Sequence, residues 1–231
     1  MDEVLSVLAP SYQMATESAV SRGGKFKKVW GRGNVVSAFG STFTRCQITF
    51  GGENNRIEIG EGANMVECKI HVMGSNNVIR IGKKASAYGL SIWVSDNGNE
   101  VSIGDNFYGS GSMGINCSEG TKVSFGNDCL ASRGVMCMSS DSHSILSPWG
   151  KRVNPAKDIV IADHVWIGYG VTILKGVRIA KNCVVGASSV LTKAFDDENT
   201  LIVGNPAKAK KKIGGWRVKK IVGGISPLEM D

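Results

Sequence analysis

The chain has 231 residues, 42% apolar and 20% charged, with 30 Gly, 5 Pro and 6 Cys; this excludes a disordered or fibrous chain, and the length holds one large domain or two small ones. No apolar run approaches the ~20 residues of a membrane span, and scattered glycines disfavour a helical fold, since each costs about 1 kcal/mol against Ala in a helix interior. The net charge of +7 sits wholly in residues 150–231, with 14 basic and 7 acidic groups, while residues 1–149 balance 13 against 13.

Residues 1–30 stand outside any repeat. Asp2 and Glu3, and the interruption at Pro10, Ser11, Tyr12 and Gln13, argue against a secretory signal. Residues 2–20 are expected to form a short helix with Pro10 at a turn. Beyond residue 31 the chain repeats. Ile59-Gly60, Ile81-Gly82, Ile103-Gly104 and Phe125-Gly126 follow one another at 22 residues, as do Ile48, Ile70 and Ile92. Between them lie polar corners, Gly51 to Asn55, Gly74 to Asn77 and Asp96 to Asn99, whose Gly and Asn tolerate positive φ. The next step, Phe125 to Ile161, is 36, so about 14 residues are inserted there, at about 139–157. An insertion into a solenoid leaves as a surface loop, where sites are commonly built.

From residue 161 an aliphatic side chain returns every six residues: Ile161, Ile167, Ile173, Ile179, Val185 and Leu191. A second series, Val165, Val171, Val177, Cys183 and Ser189, runs four residues behind. This period is neither helical nor a strand alternation. Each six residues make a short strand and a turn, three such units make one triangular coil, and stacked coils bury one another's apolar edges. Residues 31–195 therefore form an all-β solenoid, followed by a basic tail, 196–231, expected to be helical or irregular. The six cysteines lie eight or more residues apart with no CxxC pair, which reads as free, buried thiols in a reducing, cytoplasmic setting.

The block Asp163-His-Val-Trp166-Ile-Gly168, Val171 to Val177, Val185-Gly-Ala187-Ser-Ser-Val190-Leu-Thr-Lys193 and Gly204-Asn-Pro206-Ala207-Lys208 resembles the hexapeptide-repeat acyltransferases. The resemblance implies a left-handed parallel β-helix, a triangular prism with one protruding catalytic loop, assembled as a homotrimer with sites between subunits. The insertion from Ser139 to Pro155 is similar to the catalytic loop of sugar O-acetyltransferases acting on capsular polysaccharides, polysialic acid O-acetyltransferases among them. The implied reaction moves an acetyl group from acetyl-CoA to a glycan hydroxyl. Other acceptors, an antibiotic hydroxyl or the amine of an amino sugar, share the same machinery.

Deprotonating an alcohol near neutral pH suits histidine, and there are three. His71, between Ile70 and Val72, points outward from a front coil. His164 sits in a coil beside Val165. His143 lies in the insertion, where the resemblance places the general base. Asp141 supplies a carboxylate to orient it or a turn bond that shapes the loop; a backbone carbonyl could also orient the ring. Trp166 matches a Trp beside the thioester. Gly168, Gly186, Ala187 and Ser188 match positions that line the pantetheine arm. Lys193 and Lys208 match positions that meet CoA phosphates, which accounts for the basic C-terminal third without a nucleic acid. No metal is expected: a zinc hydrolyase on this fold needs three converging His, and here they stand 72 and 21 residues apart.

Overall fold

The structure, a computed structural model, describes residues 31–219 together with the backbone of three preceding strands, Tyr12–Ala15, Val20–Arg22 and Lys25–Trp30. Among these residues there is no helix, and hence none long and apolar enough to cross a membrane. The chain winds as a parallel β-solenoid of about seven turns. Each turn lays one strand on each of three sheets. Face 1 runs from Asn34–Ser37 to Arg178–Ile179, face 2 from Thr42–Thr44 to Val184–Val185 and face 3 from Gln47–Gly51 to Val190–Leu191. Corner 1 joins face 1 to face 2, corner 2 joins face 2 to face 3, and corner 3 returns the chain to face 1.

The six-residue period builds the interior. Ile161 and Ile179 fall on face 1, Ile167 and Val185 on face 2, and Ile173 and Leu191 on face 3, each at most 2% exposed. Val165, Val171, Val177 and Cys183 fill the corners between them. In the front coils Val36, Ile57, Ile79, Val101, Val123 and Ile159 stack strand on strand along face 1. Each such side chain contributes roughly 1.5–3 kcal/mol on burial, which no single coil realises without its neighbours.

Corner 3 carries the four extra residues of each front coil. Gly52, Asn54, Gly74, Asn76, Asp96 and Gly98 take the positive φ expected there. Asn55, Asn77 and Asn99 do something different. They turn inward, 1% exposed, and form a ladder with Asn34. The Oδ1 atoms of Asn34, Asn55 and Asn77 each accept the backbone N–H and Nδ2–H of the next asparagine, at 2.8–3.1 Å, while the Nδ2 atoms of Asn55, Asn77 and Asn99 also donate to Gly74, Asp96 and Ser95 carbonyls. The 22-residue spacing of these asparagines thus satisfies buried polar groups.

Two expectations need correction. Strand Tyr12–Ala15 lies within the segment 2–20 expected to be helical, and it pairs with Asn34–Ser37 as Val20–Arg22 and Lys25–Trp30 pair with the next strands; the rest of that segment lies outside the described residues. The tail from 196 is a hairpin over residues 200–212. Thr200–Gly204 adds to face 2 because Thr200 and Ile202 continue the inward alternation, and Ala207–Lys212 returns antiparallel along its edge. Lys208, Lys210, Lys211 and Lys212 on that last strand are exposed, a charged edge that resists further strand addition.

Candidate active site

Residues 139–157 leave the prism at corner 3, where the asparagine ladder ends. Asn99 Oδ1 accepts the Thr121 N–H, Thr121 Oγ1 bonds Ser139 Oγ at 2.6 Å, and the Ser118 N–H also reaches Ser139 Oγ. The loop closes with Lys157 N–H donating to Ser139 C=O at 3.0 Å. Its outer part is a small hairpin bridged at Leu146 and Arg152, with Trp149 89% exposed at the tip.

Asn154, buried at the loop's base, organises its inner part. Its Nδ2 donates to His143 C=O at 2.8 Å and to Asp141 Oδ2 at 2.7 Å, and its Oδ1 accepts the Ile145 N–H at 2.7 Å. The His143 N–H donates to Asp141 C=O at 2.7 Å. The His143 backbone is therefore pinned on both sides while its side chain is exposed, and among the described residues no hydrogen bond occupies its ring. Among the described residues no hydrogen bond joins the Asp141 carboxylate to that ring. Its carboxylate takes Lys175 Nζ and Asn154 Nδ2, and these bonds hold it below the usual carboxylate range. Within one chain its interactions shape the loop.

A second clamp holds the loop from the preceding coil. Arg152 bonds Glu119 through both terminal nitrogens, at 2.5 and 2.9 Å, and Ser140 Oγ donates to the same carboxylate. Arg152 first, then Ser140, lowers Glu119 to a pKa of about 2 from 4.5. A depressed carboxylate contributes stability that is complete above its unfolded pKa and lost as pH falls through the folded one. Acid-protease cleavage of the loop is expected to stay slow above about pH 4.5 and to quicken progressively as pH falls from there toward about 2, whereas Arg152→Ala is expected to quicken it throughout. Between the loop and the coils beneath it lies a polar cleft of about 410 Å³, lined by Ser95, Asp96, Ser118, Glu119, Ser142, Ser144 and Arg152, so the two neighbours of His143 face it.

The remaining candidates gather elsewhere. Trp166 stands on the outer side of face 2, 39% exposed, its Nε1 3.4 Å from Ser132 Oγ. Gly168, Gly186, Ala187 and Ser188 follow at corner 2, and Lys208 lies two strands beyond Val184–Val185, opposite Val203. Ala187 and Ser188 are exposed; Gly168 is buried. A Cβ on Gly168 would stand 2.7 Å from Val185 O, so coil stacking alone requires that glycine, whereas one on Gly186 would clash only with the Val203 side chain, at 2.7 Å from Cγ1. Lys193 departs from this group. It stands past face 3 at corner 3, with Nζ 6.0 Å from the Phe195 ring centroid. Corner 3 is the vertex opposite face 2. One chain therefore keeps His143 and Trp166 on opposite sides of the prism.

The other histidines have local partners. His71 packs beside Trp93 on face 3, ring centroids 5.1 Å apart. His164, at corner 1, bonds Asn182 Oδ1 through Nδ1 at 3.0 Å and lies under Trp216. Among the described residues no group of three or more His, Cys, Asp or Glu is placed to hold a metal ion. Sequence reasoning missed Asn154, Lys175, the Glu119–Arg152 clamp and Trp216. Asn154 was visible only as the residue before Pro155 in the insertion, and Trp216 had no periodic signal.

Comparison with known proteins bears on this geometry. Residues 158–193 match the bacterial transferase hexapeptide (six repeats). The polysialic acid O-acetyltransferase of Neisseria meningitidis is 44% identical over 63 residues, and that of Escherichia coli O1:K1 36% over 95, segments that span 29% and 31% of those proteins' own length. Crystal structures extend the likeness to the whole fold. The polysialic acid-specific acetyltransferase NeuO superposes with a TM-score of 0.81 at 30% identity, over 87% of this chain and 91% of its own. The polysialic acid O-acetyltransferase OatWY superposes with a TM-score of 0.83 at 32% identity, over 89% and 98%. The chain belongs to the hexapeptide-repeat acyltransferases. Its solenoid matches their left-handed parallel β-helix, a hand that runs against the general preference of parallel crossovers.

Proposed function

We propose that this hexapeptide-repeat protein transfers an acetyl group from acetyl-CoA to a hydroxyl of a polysaccharide sugar, at sites formed between the subunits of a homotrimer. The observation that carries the proposal is the pinned, solvent-facing His143 at the vertex opposite Trp166. The two groups meet when His143 of one copy faces the Trp166 side of the next, and cyclic three-fold symmetry repeats that contact three times.

The acceptor sugar sits over the loop, with the polar cleft beside His143 offering hydroxyl and carboxylate partners. The hydroxyl gives its proton to the free ring nitrogen of His143 as its oxygen attacks the thioester carbonyl. The tetrahedral intermediate collapses by breaking the C–S bond, and the imidazolium returns its proton to the leaving thiolate. No covalent enzyme intermediate is invoked. Cys137, the cysteine nearest the loop in sequence, is fully buried and its thiol is pushed up to about 12 by that burial.

The donor fits the corner-2 side of face 2. Small exposed residues Ala187 and Ser188 leave room for a pantetheine arm, Trp166 walls the thioester from water, and Lys208 with Lys210–Lys212 offers point charges to phosphates. Thioester-dependent thiol release with a panel of oligosaccharides tests the activity. Subunit mixing tests the arrangement: His143→Ala and Trp166→Ala are each expected to be impaired, and random co-assembly to restore about a quarter of the sites. No recovery in mixed assemblies would reject a shared site.

A further inference from the structure

Trp216 takes no part in the hexapeptide pattern, yet the structure places it against the proposed donor wall. After the hairpin, the Ile213 N–H donates to Asn199 C=O at 2.8 Å, and Gly215 at φ +128° turns the chain back toward corner 1. Trp216 then stacks on the His164 imidazole, centroids 4.4 Å apart and planes 11° apart. Its indole N–H donates to His164 C=O at 2.8 Å. On the other side its ring lies 6.0 Å from that of Trp166, inclined at 44°.

These contacts constrain Trp166 from two directions. Ser132 Oγ meets its Nε1, and Trp216 borders its ring. His164 is fixed in turn by Asn182 and by a left-handed backbone at φ +53°. The interlocked rings anchor the segment after the hairpin to a part of the prism 52 residues earlier in the chain, at the one aromatic proposed to face the thioester. A half-buried indole whose N–H is spent on a backbone carbonyl is a packing device with a defined orientation.

We infer that Trp216 is a positioning residue for the donor site, holding the plane of Trp166 so that its ring borders the acetyl thioester. This rests on the reading of face 2 as the donor side. Trp216→Ala is expected to raise KM for acetyl-CoA about tenfold, with acceptor KM unchanged, and Trp216→Phe, which keeps the stack, to recover most of the loss. Both substitutions should abolish the exciton couplet that two indoles at this separation give in circular dichroism. Calorimetry with CoA separates the possible failures. No CoA binding by the wild-type protein would reject the donor reading itself. Wild-type binding with unchanged CoA affinity and KM in Trp216→Ala would overturn the role of Trp216 alone. A Trp216→Ala protein that falls apart into monomers would make the residue an assembly contact and would also overturn it.

Discussion

His143→Ala is expected to lower turnover about 10²- to 10⁴-fold, the range seen when a positioned general base is removed. The loop should survive the change, because what fixes it belongs to other residues. Asn154 binds the His143 carbonyl, Lys175 binds Asp141 and Arg152 binds Glu119, and none of these bonds uses the imidazole. Affinity for CoA should therefore stay within about twofold of wild type, since a base that acts on the acceptor contributes to the transition state and little to donor binding. Steady-state kinetics with CoA calorimetry read both quantities. Turnover within a few-fold of wild type would remove His143 from the mechanism.

The second large effect concerns the fold. Gly74→Ala is expected to cost about 4 kcal/mol or more, enough to leave little folded protein. Gly74 has φ +130°, and a Cβ there would stand 1.9 Å from Asp96 O in the next coil. The clash is with backbone, which cannot swing aside. Shifting that backbone would also disturb the ladder, since the Asn55 Nδ2–H donates to Gly74 C=O and the Asn77 Nδ2–H to Asp96 C=O. Gly98 is the internal control: φ is +70°, yet nothing lies within 4 Å of its added Cβ. Gly98→Ala should cost only about 1 kcal/mol, the left-handed penalty alone. Urea titration of the two variants compares them directly, and equal midpoints would mean that corner 3 is not packed as described.

These two sites differ in how far the sequence discloses them. Ile161, Ile167, Ile173, Ile179, Val185 and Leu191 are legible because a solenoid turns a spacing along the chain into a column in space. The 22-residue spacing discloses the front coils for the same reason, and it places the long insertion at a corner. What spacing does not carry is the partner of a polar side chain. Asn55, Asn77 and Asn99 look like turn residues, and only the stacked coils reveal that their amides are buried and mutually satisfied. His143 is legible as chemistry, while Asn154, Lys175 and Glu119 are not, since their bonds join residues 11 to 34 positions apart. The hairpin at 200–212 and Trp216 were missed because the hexapeptide period stops before them. An alternation of only five residues in Thr200–Gly204 is too short to announce a strand.

The asparagine ladder gives the front of the molecule translational symmetry. Asn77 presents to Asn99 the same acceptor that Asn55 presents to Asn77, and the apolar columns on either side repeat with the same step. A length of chain equal to one whole repeat can thus be gained or lost without altering what any remaining junction must match. The prism can grow or shorten in quanta, by gene duplication or deletion, while the coils that carry the inserted loop keep their geometry. The 18-residue step from Ile161 to Ile179 keeps the apolar column but carries no asparagine, so the relay belongs to the 22-residue coils alone.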